Sequence, residues 1–326
     1  MKNYRMYVEP KYEEVSPEAI ILPALYFNFG ENAASERSRV HAESIMFLTG
    51  IWKNTNIYED FAKVWTKNDY IERDGFHIPV RIYRKDMEKK TDEKLPVIMY
   101  IHGGAFAMNN ADIYDQFYRG LAYFTNAIIV APDYRLAPEN KFPVGLKDAY
   151  KALEWTSKKV EDFGGASDNI FIAGDSSGGN FAAVISLMAR DKNGPKIKGQ
   201  ILVYPLTIFN PKERTKSEIR YGKGYFLEYD SQVKGISYYF NDYKDSDTPY
   251  ASPLLADSLK DLPKTLLIAA ACDPLLDQEL FYAARLDDEG NDVKVKIYEG
   301  MVHGYINQPY KETFDTYKKI KEFIEG

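Results

Sequence analysis

Apolar and polar positions alternate between residues 69 and 84 around Asp74-Gly75, the pattern of a β-hairpin closed by a two-residue turn. Beyond it the period changes. Short apolar runs at 95–101, 127–131, 170–173, 199–204, 265–271 and 293–298 predict strands. Longer amphipathic stretches at 114–125, 144–163, 180–191, 278–288 and 310–324 predict helices. Strand runs without period-2 alternation, joined by helices, specify a mostly parallel central sheet with helices on both faces. Residues 1–66 read as mostly helical, especially 35–49 and 58–66, with irregular breaks. The mixed charge run at 85–94 reads as a solvated loop. A Tyr- and Lys-rich insertion at 210–249 separates two strands and is too small for a core of its own. The expectation is one domain over 1–326. Its helical cap, built from about 1–66 and 210–249, lies over the carboxyl edge of the sheet, where such folds bind ligands.

Composition narrows the function. With 326 residues, 45% hydrophobic and 14% aromatic, the chain has ample material for a large core, and disorder is excluded. Forty-two basic against 48 acidic residues leave a net charge of −6, the reverse of what a nucleic-acid binder carries. A single cysteine, Cys272, makes no internal disulfide and points to a reducing compartment. No apolar run reaches the roughly 20 residues of a bilayer span. The opening MKNYRMYVEPKYEE has no signal-peptide core. These features set the expectation of a soluble cytoplasmic protein.

The chemistry concentrates in Gly174-Asp175-Ser176-Ser177-Gly178-Gly179, which follows a predicted strand and opens a predicted helix. Gly-x-Ser-x-Gly in that setting is a nucleophile elbow. Ser176 has glycine at both −2 and +2, whereas Ser177 would need glycine where Asp175 stands. A serine hydroxyl needs a base. Of the four histidines (His41, His77, His102 and His303), only His303 follows the nucleophile in chain order, just beyond the last predicted strand. The carboxylate that orients it is expected to be Asp273, at the end of the strand between them, with Asp277 as the rival. His102-Gly103-Gly104-Ala105 follows another strand as a loop of small residues whose N–H groups suit an oxyanion hole, with His102 structural and the Ser177 N–H adding a donor. Scattered histidines and one cysteine give no metal-ligand cluster, so neither metal nor organic cofactor is implied.

Taken together, these residues resemble the hormone-sensitive-lipase-like carboxylesterases and acetyl esterases of the α/β-hydrolase fold. The likeness runs from about Lys67 onward. It rests on the His102 loop, Asp133-Tyr134-Arg135-Leu136-Ala137-Pro138-Glu139, the elbow, Ser252-Pro253-Leu254-Leu255, Asp273-Pro274-Leu275 and His303-Gly304. The resemblance implies a Ser176–Asp273–His303 triad and oxyanion donors at Gly104, Ala105 and Ser177, on a loop supported by His102 and Gly103. It also implies structural bracing by 134–139, a small-molecule ester of short to medium chain as substrate, and a monomer or homodimer. Aromatic residues of the insertion (Tyr221, Tyr225, Phe226, Tyr229, Tyr238, Tyr239 and Phe240) are candidates to wall a short acyl pocket. A serine peptidase or amidase of the same fold, or a small-ligand-binding protein, are the rival readings. The sequence departs from the family pattern at Ala105, where many members have glycine, and at Ser177, where many have alanine.

Overall fold

The computed structural model describes Glu14 and residues 33–88, 94–209 and 214–326. The hairpin comprises β1 (Trp65–Arg73) and β2 (Phe76–Arg84), paired antiparallel across Asp74-Gly75. It begins at Trp65 rather than residue 69, because the preceding helix α2 (Tyr58–Ala62) stops short and the Trp65 ring packs against Phe163. The strands β3 (Leu95–Ile101), β4 (Ile128–Pro132), β5 (Gly165–Asp175), β6 (Gly199–Val203), β7 (Lys264–Cys272) and β8 (Val293–Val302) follow. All eight form one sheet in the order β1-β2-β4-β3-β5-β6-β7-β8. β2 is antiparallel to β4, and every pairing from β4 to β8 is parallel.

The period-2 geometry of β3 divides the core. Val97, Met99 and Ile101 face one apolar cluster with α4 (Val144–Lys159), α5 (Ser177–Asp191) and α8 (Leu276–Asp288). Ile98 and Tyr100 face the other, with α3 (Asp115–Thr125) and α9 (Lys311–Glu325). The helix expected over 144–163 ends at Lys159, and a 3-10 turn at Val160–Phe163 closes it. Helix α1 (Ala33–Lys53) sits on the α3/α9 side, where Leu48 and Trp52 are buried and the Trp52 indole N–H donates to the Asn307 carbonyl at 2.9 Å. The insertion supplies α6 (Lys216–Tyr221) and α7 (Tyr229–Tyr239). The rest of the proposed cap, residues 1–13, 15–32 and 210–213, lies outside the described residues.

One consequence of the topology positions the chemistry. The parallel strands β3, β5, β7 and β8 end at Ile101, Asp175, Cys272 and Val302, so the residues that follow them are His102, Ser176, Asp273 and His303. Parallel strands share one carboxyl edge, and four residues far apart in sequence meet there.

Candidate active site

Ser176 turns the chain sharply between β5 and α5, at φ 55° and ψ −120°. This strained backbone is held by three bonds: the Ser176 N–H donates to Val203 O at 2.9 Å, and its carbonyl accepts from the N–H groups of Asn180 and Leu206 at 2.9 and 3.2 Å. The elbow glycines are there for space. A methyl group at Gly178 would fall on the carbonyl oxygens of Ile101 and His102, and one at Gly174 on that of Gly178.

Ser176 Oγ lies 2.8 Å from Nε2 of His303, and Nδ1 of that ring lies 2.6 Å from Oδ2 of Asp273. Asp273 is fully buried, and its other oxygen accepts the Leu275 N–H at 2.8 Å. A carboxylate that accepts at Nδ1 makes Nδ1 the proton-bearing nitrogen and leaves the Nε2 lone pair facing the serine. Asp277, the rival carboxylate, instead accepts the Ser217 N–H at 3.0 Å and ties the start of α8 to α6. Of the other histidines, His77 packs on Tyr70 in the hairpin. His102 stacks on Tyr134 with ring centroids 4.5 Å apart and bonds the Gly103 carbonyl through Nδ1 at 2.8 Å. Burial holds its ring down at about 4, so it is neutral and structural.

The N–H groups of Gly104, Ala105 and Ser177 meet no acceptor among the described residues. Ala105 has φ 50°, a left-handed conformation that glycine adopts without strain, so alanine is carried here at a cost. Its methyl group faces α7, 3.5 Å from where a Cβ on Gly235 would lie. Tyr134 donates to the His102 carbonyl at 3.0 Å, and Arg135 grips Asp148 of α4.

A pocket opens over Ser176, bounded by Ala105, Leu206, Ile208 and Phe209 below and by Leu227, Tyr229, Val233 and Ile236 from the insertion. Of the seven insertion aromatics singled out above, Tyr229 lines it. Tyr239 and Phe240 turn instead into the core against Phe106, Phe142 and Phe209, and Tyr221 is buried beside Cys272 and Val302. The pocket wall is therefore mixed: its aliphatic side chains are joined by Phe106, Phe209, Tyr229 and Tyr243 and by the charged Arg214 and Glu218.

Three features escaped the sequence. The buried Asp175 carboxylate gathers the Tyr114 hydroxyl (2.7 Å), the Tyr100 hydroxyl (3.2 Å) and the Gly103 N–H (3.1 Å), lashing the His102 loop to the elbow. Burial pushes its carboxyl up to about 6. His41, on α1, accepts the N–H of Asn109 at 2.9 Å. Glu279, on α8, is fully buried, and neither carboxyl oxygen has a hydrogen-bond partner among the described residues.

The Glu279 carboxyl is held well above its ordinary value by burial and by the neighbouring Asp273 and Asp277 charges. A carboxyl whose pKa is raised by folding binds more protons in the native state, so stability falls as pH rises above the unfolded value of about 4.5. Glu279→Gln keeps the shape of the neutral acid and abolishes the titration. Its stability relative to wild type should climb as pH rises from 5 to 7, by up to about 1.4 kcal/mol per pH unit. Denaturant melts of both proteins at pH 5 and pH 7 read this directly, and parallel pH dependence would refute it.

The sequence profile of a family with the α/β hydrolase fold matches residues 98–307. An arylesterase of Saccharolobus solfataricus is 36% identical over 245 residues, 75% of this chain and 78% of that protein. The structure of the hyperthermophilic esterase of the archaeon Pyrobaculum calidifontis superposes with a TM-score of 0.81 at 32% identity, covering 90% of this chain and 93% of its own. A gibberellin receptor of Arabidopsis thaliana is also 32% identical over 245 residues, 72% of this chain and 68% of the receptor. The chain belongs to the α/β hydrolase fold family, among its hormone-sensitive-lipase-like esterases.

Proposed function

We propose that this carboxylic ester hydrolase works through Ser176, His303 and Asp273 on short- to medium-chain esters. His303 Nε2 takes the Ser176 proton as the oxygen attacks the ester carbonyl, and Asp273 steadies the imidazolium that forms. The oxyanion is received by the N–H groups of Gly104, Ala105 and Ser177, each worth on the order of 3 kcal/mol to the transition state. His303 then protonates the departing alcohol, and water releases the acyl group by the same route. The observation that carries this reading is the unbroken chain from Ser176 Oγ to His303 to Asp273, at 2.8 and 2.6 Å, beneath an apolar pocket. The same chain sets it apart from a binding role such as that of the related receptor, because a ligand pocket needs no activated serine.

The insertion helices α6 and α7 act as the cap in this reading, since residues of both line the pocket. Glu218 of α6 and Tyr229, Val233 and Ile236 of α7 crowd the space over Ser176 and favour acyl chains of a few carbons. Cys272, fully buried, fits residence in a reducing cytoplasm. Hydrolysis of p-nitrophenyl acetate, butyrate, octanoate and palmitate tests the reading. The expected kcat/KM peaks at or below octanoate and falls at least about tenfold at palmitate, a difference of about 1.4 kcal/mol. A maximum at palmitate would overturn the chain-length reading, and preference for an anilide over the matching ester would favour an amidase.

A further inference from the structure

The loop after β3 contains three non-glycine residues in the left-handed region: Ala105 at φ 50°, Phe106 at φ 62° and Asn109 at φ 75°. Such a loop persists only where its surroundings over-determine it. Two of its carbonyls are held by internal bonds that bear directly on the donor N–H groups. The Asn109 side-chain amide donates to the Gly103 carbonyl at 3.1 Å, alongside the His102 Nδ1 contact. The Gly104 carbonyl accepts from the N–H groups of Ala107 and Met108 at 3.0 and 2.9 Å. A peptide unit is planar, so fixing the Gly103 carbonyl fixes the direction of the Gly104 N–H, and fixing the Gly104 carbonyl fixes that of the Ala105 N–H.

Each clamp is itself held from α1. His41 Nε2 accepts the backbone N–H of Asn109 at 2.9 Å. Arg37 Nε donates to the Ala107 carbonyl at 2.7 Å, while its guanidinium also donates to the Ala137 carbonyl at 2.7 Å and to both carboxylate oxygens of Glu139. Ala137 in turn donates its N–H to the Phe106 carbonyl at 2.9 Å. We propose that His41 and Arg37 of α1 are positioning residues that aim the Gly104 and Ala105 N–H groups at the oxyanion. The inference rests on the triad and oxyanion reading given above. One route runs from His41 through Asn109 and the Gly103 carbonyl to the Gly104 N–H. The other runs from Arg37 through Ala107 and the Gly104 carbonyl to the Ala105 N–H.

His41 is suited to the task because burial and the nearby Arg37 charge, opposed only in part by Asp112, hold its ring down at about 4. Nε2 therefore stays an acceptor across the neutral range. A small misdirection of the N–H groups costs transition-state stabilisation rather than substrate binding, because an oxyanion donor acts where charge develops.

The test compares His41→Phe, which keeps a ring but removes the acceptor, with His41→Gln, whose amide oxygen replaces Nε2. Asn109→Ala cuts the same route inside the loop, and Arg37→Met cuts the other. Active sites are titrated with an organophosphate before kcat and KM for p-nitrophenyl butyrate are measured, so that loss of folded enzyme does not pass for loss of rate. Expected is a fall in kcat per titrated site of about tenfold or more for His41→Phe, Asn109→Ala and Arg37→Met, with KM changed by less than about threefold. His41→Gln should recover to within about threefold of wild type. Unchanged kcat per site in His41→Phe, Asn109→Ala and Arg37→Met alike, whatever their melting temperatures, would overturn the proposal and leave the triad reading intact. Turnover that survives Ser176→Ala would overturn both.

Discussion

Ser176→Ala is expected to fold as wild type does and to lower kcat by a factor on the order of 10⁶. Alanine has the same Cβ as serine, so the left-handed turn at φ 55° that the elbow bonds hold is no harder to form. What disappears is the hydroxyl oxygen that lies 2.8 Å from His303 Nε2. The His303 imidazole then faces an empty methyl, and the loop N–H groups alone leave a residual rate roughly 10³- to 10⁴-fold above water. A purified variant with the wild-type melting temperature and undiminished turnover of p-nitrophenyl butyrate would rule out Ser176 as the nucleophile.

Asp273→Asn should cost a factor on the order of 10⁴ in kcat at neutral pH while leaving KM nearly unchanged. The reason lies in the second oxygen. Leu275 N–H already donates to Oδ1 of Asp273 at 2.8 Å, which fixes an asparagine oxygen on that side and turns its NH₂ toward the ring. An N–H donor facing Nδ1 forces the proton onto Nε2, where it faces Ser176 and cannot act as a base. Steady-state kinetics across pH 5 to 9, with a thermal melt alongside, check this. A loss smaller than about tenfold would mean that Asp273 does not set the tautomer.

Much of this site was legible in the chain because its parts are local patterns at strand ends. Gly-x-Ser-x-Gly between an apolar run and a helical one has few structural meanings, and the order of Ser176, Asp273 and His303 follows from the order of β5, β7 and β8. Asp273 sits at the end of a strand and lies 2.6 Å from His303 Nδ1, whereas Asp277 begins a helix and bonds Ser217. Side chains that act across the fold were not legible. Asp175 meets Gly103 from 72 positions away, and His41 meets Asn109 from 68. Neither pairing leaves a mark in local composition. The insertion aromatics misled for a related reason: an aromatic on a short amphipathic helix can face pocket or core, and Tyr239 found Phe106 to stack on at 3.9 Å between ring centroids. Glu279 looked like any helical glutamate, and only the packing of α8 reveals it as a buried acid.

The most direct measurement is covalent. Incubation with a p-nitrophenyl alkylphosphonate, followed by proteolysis and mass spectrometry, traps the attacking atom in a stable tetrahedral adduct. The account predicts one phosphonyl group per chain, on Ser176, formed in step with the loss of esterase activity, and no adduct in His303→Ala over the same time. An adduct on Ser177 or on another side chain, or inactivation with Ser176 unmodified, would contradict it.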